Sequence, residues 1–343
     1  MVFFRAILIL FATQALGGNS DTLRSRAEKK GLFIGGAMRL YKETLDDPKY
    51  FETFKNEFNV IVPEHVMKFD ATHSSEKTYD FSGGDLIVDF ANHNSMKVRG
   101  HTLVWHEAVP PWVNQYKYSR RKLKAILHDH ILSVVTHFKS KLLCWDVVNE
   151  AIGEDGKISR EGIWPRIDKG KHLGDYIKNA YRWAHQADPD VLLFYNDYGT
   201  EEINKKSDGV YNFIKDLKKE GVPIHGVGFQ VHISYNEPLN EESIRENFKR
   251  FSDLGLLLHI TEMDVGIPKD VPLTPPVLEQ QAEQYRKVFG ACLATPLCQA
   301  FLTWGITDKY TWINQVTDMT APLLLDEFYL PKPAYRVVKS LLD

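Results

Sequence analysis

Leu142-Leu143-Cys144-Trp145-Asp146-Val147-Val148-Asn149-Glu150 and Leu256-Leu257-Leu258-His259-Ile260-Thr261-Glu262-Met263-Asp264 are two strand-like apolar runs, each carrying a glutamate at or near its end. Such runs form buried strands, and an ionisable group buried there without partners costs several kcal/mol. Glu150 and Glu262 therefore read as side chains at a cleft rather than as structural filler. Two carboxyls so placed suit an acid and a nucleophile, or an acid and a base, on either side of a bond to be cut.

Six more runs extend the series, so that strands are expected over 32–38, 58–64, 97–105, 142–150, 191–197, 225–232, 256–265 and 300–307. Stretches of helical period separate them, notably 119–138, 172–187, 203–219, 241–253, 276–294 and 333–342. Asp188-Pro189 stops one of these helices, Gly221 follows another, and Pro276 suits a first helical turn. Eight strand-helix repeats without a linker or low-complexity tract point to an α/β fold, a single (β/α)8 barrel. A doubly wound open sheet is the rival. It would carry a glycine fingerprint after the first strand, whereas Gly35-Gly36 is followed by Met38 and Arg39.

In a barrel all strand C-termini surround one mouth. Standing at those ends are Glu64, His101 with Trp105 and His106, Asn149 with Glu150, Asn196, Gln230 with His232, Glu262 with Asp264, and Trp304. Gln230 and His232 are two apart, so on a regular strand they face the same way, and His232 can reach Glu262 with Asp264 behind it. Asn149 and Glu150 can both serve the pocket only if their strand ends or bulges there. Trp304, Trp312 and Trp105 are candidates to wall a sugar site, against the blander reading of each as core. His101, His106 and Glu107 hint at a metal, but the spacing does not fit a helical His-Glu-x-x-His pair and Cys-x-x-Cys is absent. With no phosphate loop and no Gly-x-Ser-x-Gly elbow either, metal-free carboxylate chemistry without a cofactor is expected.

The whole chain of 343 residues is 43% hydrophobic with a formal net charge of -3, and it carries no basic run outside its N-terminus. That balance argues against nucleic acid or an anionic membrane as partner. Seven Trp and fifteen Tyr exceed what such a core requires and suit flat ligands such as sugar rings. Arg5, the apolar stretch 6–12 and the small residues Ala15, Gly17 and Gly18 read as a secretory signal peptide over 1–18, too short to span a membrane. The catalytic domain would then occupy 19–343, extracellular and acting as a monomer. In an oxidising destination Cys292 and Cys298, with five residues between them, could close a disulfide contributing roughly 2 kcal/mol. Cys144, in an apolar strand, reads as a buried inert thiol. No Asn-x-Ser/Thr glycosylation acceptor corroborates secretion.

Arg99-Gly100-His101-Thr102-Leu103-Val104-Trp105-His106, Trp145-Asp146-Val147-Val148-Asn149-Glu150-Ala151, Gly226-Val227-Gly228-Phe229-Gln230-Val231-His232, Ile260-Thr261-Glu262-Met263-Asp264 and Trp304-Gly305-Ile306-Thr307-Asp308-Lys309-Tyr310-Thr311-Trp312 resemble, in order, the motifs of glycoside hydrolase family 10, the endo-β-1,4-xylanases. Pro331-Lys332-Pro333-Ala334-Tyr335 resembles that family's final helix start, and the Cys292, Cys298 pair a disulfide found in many members. The resemblance implies a retaining enzyme acting on xylan and xylo-oligosaccharides, with Glu150 as acid/base and Glu262 as nucleophile. It puts Lys68, His101, Trp105, Asn149, Gln230 and Trp304 around the sugar at the cleavage point, Glu64 on the next sugar, His232 on the nucleophile and Tyr198 on the leaving-group side. Two positions depart: His65 stands where the family usually has Asn, and Ala108 where it usually has Gln. Both concern sugar recognition. If Glu64 approaches His65 it should favour the charged imidazole, which would make sugar binding at this point depend on pH. The rival readings are a related β-1,4-glycanase with glucan activity and a carbohydrate-binding barrel without catalysis.

Overall fold

In the computed structural model, which describes residues 21–115, 117–168 and 173–343, ten strands occur. They are β1 (Phe33–Met38), β2 (Val60–Pro63), β3 (Lys97–Val104), β4 (Cys144–Asn149), β5 (Leu192–Asp197), β6 (Gly226–Phe229), β7 (His232–Ser234), β8 (Leu257–Pro268), β9 (Cys298–Thr303) and β10 (Met319–Thr320). The expected leader lies outside the described residues. Eight strands run parallel in the order β1-β2-β3-β4-β5-β6-β8-β9, and β9 pairs back to β1. This closes the (β/α)8 barrel expected from the alternation of runs. β7 pairs with the far end of β8 in parallel and β10 in antiparallel fashion, so both lie at the mouth rather than in the wall.

The helices begin where the local chemistry lets them. Asn204 and Asn240 cap Lys205–Lys219 and Glu241–Asp253 with their side-chain oxygens, and Ser119 caps Arg120–His137. Asp47 followed by Pro48 starts Pro48–Glu57, which with Ser82–His93 fills the first two crossovers. The helix expected from 172 starts at Asp175, because Gly174 takes a left-handed turn just before it.

Most apolar side chains lie between the barrel wall and these helices. The barrel interior is partly charged: Arg99 is buried between Asp146, to which it donates at 3.0 Å, and His259 Nδ1 at 2.7 Å, with the Phe194 ring beneath it. Cys144 lies beside Arg99, its thiol pushed up to about 12 by burial, and is the unbridged cysteine as expected. Cys292 and Cys298 form the disulfide, tying the end of Pro275–Leu293 to the start of β9. Among the described residues no helix is long and apolar enough to cross a membrane.

His130, on Arg120–His137, is fully buried and stacks on Phe69 with ring centroids 3.6 Å apart. Burial, with the neighbouring His73, holds its imidazole well below the ordinary value of 6.5. The unfolded chain therefore binds a proton below pH 6.5 that the folded chain refuses, so this group costs stability as pH falls through that point. We expect urea unfolding at pH 7.5, 6.5 and 5.5 to give a slope for the wild type steeper than for His130→Leu by up to about 1.4 kcal/mol per pH unit below 6.5. Equal slopes for the two proteins would contradict it.

Candidate active site

Glu150 closes β4, and its backbone turns into the left-handed region, φ 55°. Its N–H donates to the Asn196 carbonyl at 2.9 Å as the last rung of the β4–β5 ladder, and the left-handed turn then carries the chain away from the strand. The break meets the condition set by the sequence: Asn149 and Glu150 both serve the mouth. The Glu150 carboxylate accepts from Trp105 Nε1 at 2.7 Å, Gln230 Nε2 at 2.9 Å and Asn149 Nδ2 at 3.0 Å.

Glu262 projects from β8 and is 4% exposed. One oxygen accepts from Asn196 Nδ2 at 2.6 Å, and the other lies 3.3 Å from His232 Nε2. Behind the imidazole, His232 Nδ1 is 3.0 Å from Asp264, which also accepts from Trp312 Nε1 at 2.7 Å. Burial alone would push the Glu262 carboxyl up. The His232 hydrogen bond, the nearby His101 and His232 charges and the Asn196 amide outweigh it and hold the carboxyl below its ordinary value. For His232 the balance is similar: burial pulls it down, but Asp264 and Glu262 push it up to about 10. Glu262 is thus kept as a carboxylate beside a cationic imidazole.

Two amides join the carboxyls. Asn196 Nδ2 donates also to Asn149 Oδ1 at 2.8 Å, and Asn149 in turn donates to Glu150. The Thr261 hydroxyl donates to Asn196 Oδ1 at 2.7 Å, which fixes which way that amide faces. Gly228 makes room for it: a Cβ there would lie 2.3 Å from Asn196 Oδ1.

Around this pair the structure gathers most of the expected residues. Lys68 holds its ammonium 4.6 Å from the Trp105 ring centroid and 5.8 Å from that of Trp304, and burial lowers its pKa against the pull of Glu262 and Glu64. His101 lies edge-on to Trp304, with Nδ1 3.1 Å from Asp146. Trp312 packs against His232 at 5.3 Å between centroids. Tyr198 is 43% exposed, its ring 3.2 Å from Lys206 Nζ. Glu64 is held by a bidentate contact from Arg39, which also lines a cavity of about 500 Å³ with Tyr41, Lys309, Tyr310, Asn314 and Gln315. That cavity thus shares Arg39 with the Glu64 contact and takes in Thr311 and Asn314 on either side of Trp312.

Two expectations need correction. Gln230 and His232 are not on one regular strand: β6 ends at Phe229, Val231 takes φ 62°, and His232 opens β7. They reach different carboxyls, Gln230 to Glu150 and His232 to Glu262. Glu64 does not approach His65, because Arg39 claims it; His65 Nε2 instead lies 3.1 Å from Asp70. His101 turns to Asp146, and His106 to Glu161 at 3.6 Å. Among the described residues no group of three or more His, Cys, Asp or Glu is placed to hold a metal ion.

Asn196 and Arg39 are the residues sequence reading underrated. Asn196 stood among the strand-end side chains without an assigned role, and Arg39 follows the end of β1, where only a glycine pattern was sought.

Comparison with known proteins agrees with this geometry. The sequence pattern of glycosyl hydrolase family 10 matches residues 22–341. Endo-1,4-beta-xylanase B of Thermotoga neapolitana is 42% identical over 340 residues, covering 98% of this chain and 96% of that protein. Native xylanase 10B from Thermotoga maritima superposes with a TM-score of 0.88 at 44% identity, covering 94% of this chain and 98% of that one. Xylanase 10B from Thermotoga petrophila, crystallised in complex with xylobiose, gives 0.87 at 43% identity, covering 96% and 98%.

Proposed function

Because the chain belongs to glycosyl hydrolase family 10, and is by that membership a glycoside hydrolase, we propose that it is an endo-β-1,4-xylanase that cleaves internal bonds of xylan with retention of configuration. The observation that carries this reading is the unequal treatment of the two carboxyls. Glu262 is buried against a cationic His232 and kept ionised, as a nucleophile must be. Glu150 is half-buried and gripped by three donors on the opposite side of the Asn149–Asn196 bridge.

In the first step Glu262 attacks the anomeric carbon while protonated Glu150 passes its proton to the leaving oxygen. In the second, Glu150 takes a proton from water, which displaces Glu262 and releases the sugar. Lys68, His101, Asn149, Gln230 and Trp304 surround the sugar at the cleavage point, with Trp105 and Trp312 as walls. Glu64, held by Arg39, and His65, beside Asp70, take the next sugar, while Tyr198 faces the leaving group. The cavity lined by Arg39, the residue that holds Glu64, supports a substrate that extends beyond the cleavage point. We further propose that residues 1–18 direct secretion and that the enzyme acts as a monomer.

Proton NMR during hydrolysis of xylohexaose tests the stereochemistry: the β-anomer is expected first, followed by slow mutarotation. An α-anomer as first product would mean inversion. Reducing-sugar release should be far faster from xylan than from β-1,4-glucan, and the opposite order would reassign the substrate.

A further inference from the structure

We propose that Tyr195, Asp197 and Lys206 form a buried positioning device for Glu150, setting the backbone angle from which the acid/base delivers its proton; the proposal rests on the acid/base role given to Glu150 above. Tyr195 and Asp197 are fully buried, Lys206 is 2% exposed, and no hydrogen bond or ion pair joins any of the three to the Glu150 carboxyl. They act on the chain next to it. Ala151 N–H donates to Tyr195 Oη at 3.0 Å, and the Tyr195 hydroxyl donates to Asp197 Oδ2 at 2.5 Å. Asp197 Oδ1 accepts from the Tyr198 N–H at 2.9 Å and lies 3.2 Å from Lys206 Nζ.

Lys206 reaches on to Glu154 at 3.1 Å, in the loop that follows Glu150. That loop closes on itself through a bridge between Ile152 and Ile158 and sits against the first turns of Lys205–Lys219. There Gly156 and Gly209 meet backbone to backbone: a Cβ on Gly209 would lie 2.2 Å from the Gly156 carbonyl oxygen. The chain is thus fastened immediately after Glu150 and again a few residues on.

The need for such fastening follows from the two backbones. Glu262 sits inside β8, between the pairing with β6 that ends at Ile260 and the pairing with β7 that begins at Asp264, and Asn196 and His232 hold its carboxylate directly. Glu150 sits where the ladder ends, in a left-handed conformation that a non-glycine residue keeps only when its surroundings over-determine it. The Glu150 N–H is tied to Asn196, and the next N–H is tied to Tyr195. Loosening the second tie lets the strand end relax and moves the carboxyl, while Glu262 keeps its place.

The test is a split between leaving groups in Tyr195→Phe, which keeps the ring and removes the hydroxyl. A 2,4-dinitrophenyl xylobioside needs no proton on departure, whereas a phenyl xylobioside or a xylo-oligosaccharide does. We expect kcat/KM to fall by about tenfold for the poor leaving groups and by less than about twofold for the dinitrophenyl substrate. Asp197→Asn should show a split of the same sign, and it carries the test if Tyr195→Phe does not fold; thermal unfolding monitors both. Equal losses on both substrates, or no loss on either in a folded variant, would overturn the device. Glu150→Ala distinguishes the two levels of the argument: if it shows no split itself, the acid/base reading fails, and if it does while the folded variants do not, only the positioning device fails.

Discussion

Glu262→Ala is expected to lower kcat on xylan by about 10⁵-fold or more, the largest effect of any single substitution in this chain. The carboxylate forms the covalent bond that divides the reaction into two steps, and alanine offers nothing to replace it. The surroundings add to the loss, because His232 and Asn196 then present donors to an empty space instead of an anion. A 2-fluoro xylobioside with a good leaving group should trap the intermediate in the wild type, and peptide mass mapping should find the added sugar on Glu262. Label on another residue would reassign the nucleophile. No label at all, together with an α-anomeric product, would remove the covalent step.

Glu150→Ala should behave differently according to what leaves. On xylan, kcat/KM should fall by roughly 10³- to 10⁴-fold, since the departing sugar oxygen needs a proton. With a 2,4-dinitrophenyl xylobioside the first step should be nearly spared and the second should stall, giving a burst followed by slow turnover. Azide, a small anion that needs no general base, should restore turnover and yield a β-xylobiosyl azide. An α-azide would show a single displacement, and absence of any leaving-group dependence would show that Glu150 is not the acid. Because Trp105, Gln230 and Asn149 all donate to Glu150, a milder phenotype is expected for removing any one of them.

The parts of this site legible in advance were those carried by strand ends. A glutamate closing an apolar run is an anomaly that burial physics singles out, so Glu150 and Glu262 stood apart before any geometry was available. The same position marked Asn149, Gln230, His232 and Trp304. Less legible were contacts made by residues far apart in sequence. Arg39 was passed over as the end of a failed glycine pattern, yet it takes Glu64 away from His65. The reading of Gln230 and His232 as strand neighbours had the right residues and the wrong cause, because Val231 interrupts the strand between them.

The alternation of apolar runs and helical stretches by itself determined the barrel, since eight such units without a linker have few other ways to bury their faces. It likewise determined that both carboxyls would meet at one mouth, a consequence of parallel strands ending on the same side. What only the tertiary structure decided is how the two are made unequal. The difference lies in hydrogen bonds spanning 30 to 80 residues of sequence: His232 on Glu262, Gln230 on Glu150, and Asn196 between Asn149 and Glu262. A hydrogen bond depends on tenths of an ångström and on direction, and those are set when the barrel closes, not by the order of residues along any one strand.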